Sequence, residues 1–369
     1  MLNQEEIARY SRHLRLLSVG TEGQEKLKAA RVLVIGAGGL GCPVLQYLCA
    51  AGVGTIGIVD DDRVDVSNLQ RQVLYSEDDI GRRKVDCAME HLSRQNPHVL
   101  FESHALRLDR NNALGLCAKY DILIDGTDNF PTRYLVGDVS VLLNKPLVFG
   151  SIFKFEGQVA VFNYQGGPSY RCLYPTPPAP GQVPNCSEIG VLGVLPGFIG
   201  TRMAAECLKM ILGIGEVLSG KLLMTDLLGN SERILKIRKQ EENWNRTALD
   251  LDYAGFCGIV EQIAPDGISA LTLSEWIEAN KAVQLIDVRE SYELELCMIP
   301  GSHWIPLGEI AERSDEIDPD RPKVMICHHG MRSAMAIEIL KSKGCSQLVN
   351  LEGGIHAWAT TVDPEMQQY

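Results

Sequence analysis

The sequence predicts two α/β domains, the first an open, mostly parallel sheet with antiparallel additions and the second a smaller α/β unit. Three observations carry this expectation. From residue 31 to residue 151, apolar runs of strand length alternate with amphipathic segments of helix length, the pattern of parallel strands joined by crossover helices. Gly36, Gly38 and Gly41 form a glycine turn between the first such run and the first such helix, and Asp60 ends the second run nineteen residues beyond Gly41. A charged, aperiodic stretch, 238–266, then separates this pattern from a second, shorter alternation. The expected division is a first domain at 1–240, a linker at 241–266 and a second domain at 267–369.

Taken in order, Asn3 and Glu6 have the spacing of a capping box and start a helix through about Leu17, with Arg9, Arg12 and Arg15 on one face. Residues 32–35 read as a strand, the glycines open a helix, and 56–59 read as the next strand. This unit is Rossmann-like, with phosphate on the helix start and a ribose on Asp60. A helix at 81–95 carries Lys84, strands follow at 99–102 and 121–125, and Pro131 opens a helix to about Leu143. Residues 147–151 and 156–162 are two more strands. The six prolines from Pro168 to Pro184 make 165–185 an extended loop. An apolar helix at 190–212 and antiparallel strands at 222–226 and 233–237 complete the domain. The second domain reads as helix 273–280, strand 283–288, strand 323–327, helix 332–343 and strand 348–351.

Composition narrows the function. A formal charge of −12 over 369 residues argues against binding to nucleic acid or an anionic membrane, both of which rest on clustered Lys and Arg. The N-terminal segment is too charged for a signal peptide, and the longest apolar stretch, 189–200, is interrupted by Pro196 and too short to span a bilayer, so a cytoplasmic protein is expected. Eleven cysteines without a C-x-x-C pair match neither a secreted disulfide framework nor a complete zinc site.

The glycine turn alone leaves NAD, FAD and ATP open. Around it stand Asp60-Asp61-Asp62, the run Asn68 to Arg71, Lys84, and Thr127-Asp128-Asn129. Hydride transfer has no need of two cations and an extra acid near the phosphates. Attack on a nucleotide phosphate does, because Arg71 and Lys84 offset charge on the transferring group while Asp128 helps hold Mg²⁺. The balance favours ATP over an NAD-dependent oxidoreductase.

The set GAGGLG, Asp60, SNLQRQ, GRRK and TDN, in this order over about residues 5–240, resembles the ThiF/MoeB family of ubiquitin-activating-type adenylyltransferases. The resemblance implies ATP-dependent adenylation of the C-terminal glycine of a small ubiquitin-like sulfur-carrier protein ending in Gly-Gly. It assigns Gly36, Gly38, Gly39 and Gly41 to the nucleotide, Asp60 to the ribose, Arg71 and Lys84 to the phosphates and Asp128 to Mg²⁺, with Asp62, Asn68 and Asn129 beside them. Arg12 matches an arginine that in this family reaches the partner subunit's site, which implies a homodimer. Most members hold a structural zinc on two C-x-x-C pairs; here the first reads Ser169-Tyr-Arg-Cys172 and the second is absent, so no zinc is expected. Cys186 aligns with a cysteine that some relatives bond covalently to their carrier, at a place where a helix start can activate a thiol.

Cys327 follows an apolar strand and opens a helix through His328, His329, Gly330, Met331 and Arg332. Successive backbone N–H groups in such a loop point at the sulfur and stabilise an anion, with Arg332 adding positive charge. Together with Asp287, Arg289, the Ile-Pro-Gly at 299–301 and the Glu-Gly-Gly at 352–354, the loop resembles the rhodanese family over about 268–360. That resemblance implies a Cys327 persulfide, loaded by a persulfide donor, and supporting roles for Asp287 and Arg289. His328 and His329 are expected as loop residues, since two adjacent side chains seldom converge on one ion without other donors. Cys297-Met298 replaces the more usual Gly-His, with packing as the expected reason. The combined expectation is carrier adenylation followed by attack of the Cys327 persulfide, to leave a carrier thiocarboxylate. The rival readings are adenylation for protein conjugation and a rhodanese unit serving only as a docking or redox module.

Overall fold

The computed structural model describes residues 1–178, 190–244, 246–257 and 266–369. The chain divides into two compact units, Met1–Gly258 and Ile259–Tyr369. Among the described residues, no helix is long and apolar enough to cross a membrane.

The first unit is an eight-stranded sheet. Its strands are β1 (Arg31–Ile35), β2 (Thr55–Val59), β3 (Leu100–His104), β4 (Ile122–Asp125), β5 (Leu147–Phe153), β6 (Glu156–Phe162), β7 (Lys221–Asp226) and β8 (Ser231–Lys236). They lie in the order β3-β2-β1-β4-β5-β6-β7-β8, parallel from β3 to β5 and antiparallel from there to β8. The α/β class and the mixed sheet are as the sequence predicts. From β1 the chain builds outward to β2 and β3 on one side, and β4 and β5 lie on the other. The carboxyl ends of β1 and β4 therefore flank a crevice where the strand order reverses, the place where such sheets bind ligands.

Alternation along each strand decides which face a side chain serves. Val32 and Val34 join one apolar core under α4 (Gly41–Ala51), α5 (Lys84–Gln95) and the long helix Val194–Leu212. Leu33 and Ile35 join the opposite core, with α6 (Ala113–Cys117) and α7 (Phe130–Leu142). Both faces are covered, which is why these strands read as unbroken apolar runs.

Two local expectations need correction. The N-terminal helix does not run to Leu17. It breaks at Tyr10 into α1 (Gln4–Arg9) and α2 (Ser11–Leu14), followed by α3 (Gly20–Ala29), because the Tyr10 ring turns inward and its hydroxyl accepts from Asn96 Nδ2 at 2.9 Å. Arg9, Arg12 and Arg15 therefore share no single helix; Arg9 donates to the Gln95 carbonyl and Arg12 is exposed. The stretch read as a linker, 241–266, is also in part something else. Glu241–Trp244 and Tyr253–Phe256 are short helices of the first unit. Long-range polar pairing, invisible to periodicity, holds them there. Asp138, 1 % exposed in α7, accepts from Arg171 Nε and Nη2 at 2.8 and 2.9 Å and from the Tyr253 hydroxyl at 2.8 Å. Arg246 ion-pairs with Asp138 at 3.2 Å, and Asp250 takes a further Arg171 bond at 2.6 Å.

The second unit is a five-stranded, all-parallel sheet in the order β11-β10-β12-β13-β9, with β9 at Gly267–Ile268, β10 at Gln284–Asp287, β11 at His303–Trp304, β12 at Lys323–Ile326 and β13 at Leu348–Leu351. The helices include Ala270–Glu278, Ser291–Leu296, Met331–Ser342 and Gly354–Thr361. The sequence reading omits β9, β11 and the helices at 291–296 and 354–361, whose shortness leaves little period to detect.

Asp138→Ala leaves the buried Arg171 guanidinium without its main counter-charge and removes the acceptor for Tyr253. Breaking such a pair costs about 3–5 kcal/mol. Tyr253→Phe deletes two hydrogen bonds between neutral or singly charged partners, the one to Asp138 and the one from Asp250 N, at roughly 1 kcal/mol each. Thermal melts should rank the two in that order; equal melting temperatures for Asp138→Ala and wild type would exclude this network as the anchor of 241–257.

Candidate functional site

At the carboxyl ends of β1, β2 and β4 lies a cavity of about 570 Å³. Its floor is the glycine turn. Gly36 has φ +92° and its absent Cβ would stand 2.9 Å from the Gly126 carbonyl oxygen, because the turn is wedged between β2 and β4: Gly36 N donates to Val59 O and Gly126 N to Ile35 O, each at 2.8 Å. A side chain at Gly41 would meet the Gly36 carbonyl oxygen at 2.0 Å, so Gly41 lets α4 start against the turn. Gly38 and Gly39 line the cavity itself. Two side chains pin Ala37 between them, Asp60 accepting from its N–H at 2.8 Å and the Tyr75 hydroxyl donating to its carbonyl at 2.8 Å.

Asp60 also accepts from Asp62 N at 2.9 Å, tying the turn to the acidic loop after β2. Burial pushes its carboxyl above the usual carboxylate range, opposed by Lys84 and the two N–H donors. Asp60, Asp61 and Asp62 offer carboxylate oxygens within 4.8 Å of one another. Lys84, 5 % exposed at the start of α5, pairs through Nζ with Asp62 at 2.8 Å. Arg71 lines the wall, with Nη1 on the Ser67 carbonyl at 2.9 Å. Asn68 closes a short 3₁₀ turn, Val66–Asn68, against Asp65. Across the cavity stand exposed Asp128 and half-buried Asn129; Asn129 Oδ1 caps α7 by accepting from Thr132 N at 3.0 Å. Thus Gly36, Gly38, Gly39, Asp60, Asp62, Asn68, Arg71, Lys84, Asp128 and Asn129 share one cavity, while Arg12 is not among its lining residues. Cys186 lies outside the described residues.

The sequence reading misses Arg107 and Arg133, two further cations lining this cavity. Arg133 donates to the Thr127 carbonyl at 2.9 Å and stacks over Phe149 at 5.5 Å. Asp125, fully buried, accepts from Thr127 N and Oγ1 at 3.0 and 2.6 Å and so shapes the loop that presents Asp128. Only the position of Arg133, five residues after Asp128 in the first turns of a helix, could have signalled it.

Away from the cavity, Ser169 and Cys172 face Gln240 and Asn243. Ser169 Oγ donates to Asn243 O at 2.9 Å, and Cys172 Sγ accepts from Gln240 N at 3.3 Å. The pair Gln240-x-x-Asn243 has the same i, i+3 spacing as Ser169-x-x-Cys172, so hydrogen bonds close the place where two C-x-x-C pairs would meet.

In the second unit Cys327 is 1 % exposed, and its Sγ accepts from Gly330 N at 3.0 Å and Ser333 Oγ at 3.2 Å. Ser333 is a donor the sequence reading overlooks. The Arg332 guanidinium makes a two-pronged bond to Glu293 at 2.6 Å on each arm, a partner the sequence reading does not name, and its charge also acts on Cys327. Glu293 also accepts from the Tyr369 hydroxyl at 2.9 Å. Asp287 and Arg289 are fully buried and paired at 2.6 Å; Arg289 further donates to the Cys297 carbonyl at 2.8 Å. His328 and His329 flank the loop, stacked on each other, and Met331 is exposed.

Residues 10–246 match the ThiF family and residues 269–361 the rhodanese-like domain. Over its whole length the chain is 47 % identical to a Mycobacterium tuberculosis protein named a probable adenylyltransferase/sulfurtransferase, MoeZ, covering 96 % of that protein. Over 69 % of its length it is 53 % identical to a Thermus thermophilus protein named sulfur carrier protein adenylyltransferase, covering 98 % of it. The solved structure of Escherichia coli MccB with ATP has the same fold, with a TM-score of 0.56 at 23 % identity over 65 % of this chain and 73 % of that one.

Glu293 carries a pH dependence. Burial raises its carboxyl, but the Arg332 hydrogen bonds, the Glu290 N–H and the Arg332 charge outweigh that and hold it below the usual range. A depressed carboxylate stabilises the fold fully above its unfolded value, about 4.3, and loses that contribution as the pH falls through the lower folded value. Glu293→Gln should therefore be less stable than wild type at neutral pH and show a shallower loss on acidification, read as the melting temperature of the second unit between neutral pH and pH ~3; parallel curves would refute the linkage.

Proposed function

The chain belongs to the ThiF family and carries a rhodanese-like domain, an adenylyltransferase and sulfurtransferase, and from that premise we propose that it activates and thiolates the C-terminal glycine of a small ubiquitin-like sulfur-carrier protein. The observation that carries this reading is the single cavity in which the glycine turn, Asp60, Arg71, Lys84 and Asp128 meet. A carrier as substrate is supported by the name of the Thermus thermophilus relative.

In this reading the carrier carboxylate attacks the α-phosphorus of ATP, forming the acyl-adenylate and releasing pyrophosphate. The glycine turn receives the phosphates on backbone N–H groups, since no side chain stands between them. Asp60 has lone pairs left after its two N–H bonds and takes the ribose hydroxyls. Arg71 and Lys84 offset the charge that moves onto the phosphates. The partner of Lys84, Asp62, is mostly solvent-exposed while the Lys84 ammonium is buried, so a phosphate that takes the place of Asp62 keeps the buried charge paired. Mg²⁺, when bound, adds further positive charge to the phosphates, and Asp128 is the residue that would hold it. Arg12, exposed and away from the cavity of its own chain, serves the partner's cavity in a homodimer.

The terminal sulfur of a Cys327 persulfide, loaded by a persulfide donor, then attacks the activated carbonyl carbon and displaces AMP. This leaves an acyl disulfide between carrier and Cys327. A second thiol, Cys186 or an external one, attacks the Cys327 sulfur, forms a new disulfide and releases the carrier thiocarboxylate. Gly330 N and Ser333 Oγ support the reading by supplying hydrogen bonds to sulfur that strengthen as it gains negative charge. We place the reaction in the cytoplasm, on the charge and segment patterns of the sequence.

No zinc belongs to this reading. A closed tetrahedral site takes four donors such as thiolates, and the four positions here are Ser169, Cys172, Gln240 and Asn243, already bonded to one another through Ser169 Oγ, Cys172 Sγ and main-chain groups. Metal analysis of the purified protein should give less than stoichiometric zinc at this position, with no change in Cys172→Ser; one zinc per chain lost in Cys172→Ser would refute it.

The deciding experiment is intact mass of a Gly-Gly-ending carrier incubated with the protein, Mg-ATP and thiosulfate or another persulfide source. Wild type should yield thiocarboxylate. Cys327→Ala should stop at the adenylate, and Lys84→Ala should slow adenylation by roughly 100-fold or more. Thiocarboxylate from Cys327→Ala would favour the docking-module reading, and carrier joined to target proteins by isopeptide bonds would favour conjugation. Cys186→Ala retaining full sulfur transfer would assign the resolving step to an external thiol.

A further inference from the structure

His328 and His329 follow Cys327, and the sequence offers no third donor near them. The fold supplies one from the far side of the second unit's chain. The helix Gly354–Thr361 starts directly on the loop: Ile355 N donates to the Cys327 carbonyl at 2.9 Å and His356 N to the His328 carbonyl at 3.1 Å. This approach depends on Gly354, where a Cβ would stand 2.3 Å from Cys327 O and 2.4 Å from His328 O. Two main-chain bonds thereby set His356 in register with the loop, its ring centroid 5.0 Å from that of His329 and 6.0 Å from that of His328. One ring nitrogen from each of the three lies within 4.8 Å of the others.

The geometry points to a divalent-metal site made by His328, His329 and His356, with imidazole donors that select Zn²⁺, Ni²⁺ or Co²⁺ over the oxygen-seeking Mg²⁺ and Ca²⁺. Bonds of about 2.0–2.1 Å space tetrahedral donors roughly 3.3 Å apart, so the donors must close by up to roughly 1.5 Å, and the His329 ring must turn off the face of His328, on which it stacks at 4.1 Å; the rings of His329 and His356 are exposed. His328 is the fixed member. Its ring stacks on Tyr369 at 4.3 Å and 11°, and the Tyr369 hydroxyl is anchored by Arg289 at 2.7 Å and Glu293 at 2.9 Å. No carboxylate is required; three neutral imidazoles leave a fourth position for water or a ligand. A bound cation ties the loop after Cys327 to the helix at 354–361.

The site does not depend on the sulfur-transfer reading, and binding is measured on the resting full-length protein. Titration with Zn²⁺ followed by calorimetry should give one equivalent per chain and a Zn²⁺-dependent rise in Tm. Co²⁺ should give ligand-field bands without intense thiolate-to-cobalt absorption in the near ultraviolet. His356→Ala and, separately, His329→Ala, both at exposed positions that should fold normally, should weaken uptake roughly tenfold or more and abolish the rise in Tm. No uptake by wild type, uptake unchanged in both variants, or thiolate absorption that disappears in Cys327→Ala would overturn the assignment.

Discussion

The carboxylate of Asp60 holds the first site together. It is bonded at once to the glycine turn, through Ala37 N, and to the acidic loop, through Asp62 N. The turn without it would keep its glycines and its Gly36 N bond to Val59 O but leave Ala37 N without its acceptor; the loop would lose the position from which Asp62 meets Lys84. Burial opposes the ionised form, and the two N–H donors with Lys84 oppose burial, so the charge, the loop and the cation stand or fall as a set. That interdependence explains why the cavity's polar groups cluster instead of being spread along the strand ends.

Much of this was legible in the sequence, and the reasons are physical. Strands β1, β2, β4 and β5 lie buried on both faces and so read as apolar runs whatever surrounds them. The glycines announce themselves because a main chain wedged between two others tolerates nothing larger, and all the candidate cavity residues but Arg12 and Gly41 do line it. What escaped was set by partners distant in sequence. Tyr10 breaks a helix because Asn96 waits beneath it. The charged segment after residue 240 reads as linker until Asp138, more than a hundred residues earlier, claims Tyr253 and Arg246. Glu293, thirty-nine residues before Arg332, takes both of its arms, a partner that no local pattern announces.

The same limit governs the two histidines after Cys327. A pair of neighbours on a loop carries no metal signal, and His356 has no local reason to be noticed. Only the absence of a side chain at Gly354 brings it to the loop. The region around Cys172 is the converse case. A local departure from a thiol pattern was visible in the sequence, but that Gln240 and Asn243 replace the missing ligands with main-chain hydrogen bonds required the fold.

The edge strand β9 has a consequence for how the second unit comes into being. Gly267 pairs with Asn350, 83 positions later, and the cover of Cys327 comes from Ile355 and His356, later still. Parallel pairing between such distant residues forms late, because its loop-closure entropy is spent before any contact rewards it. On the ribosome the cysteine therefore emerges well before its lid. A nascent chain carries an uncovered thiol for the time needed to synthesise the last turns, and that interval, set by translation speed, is when Cys327 is open to oxidation to the sulfenic acid and further.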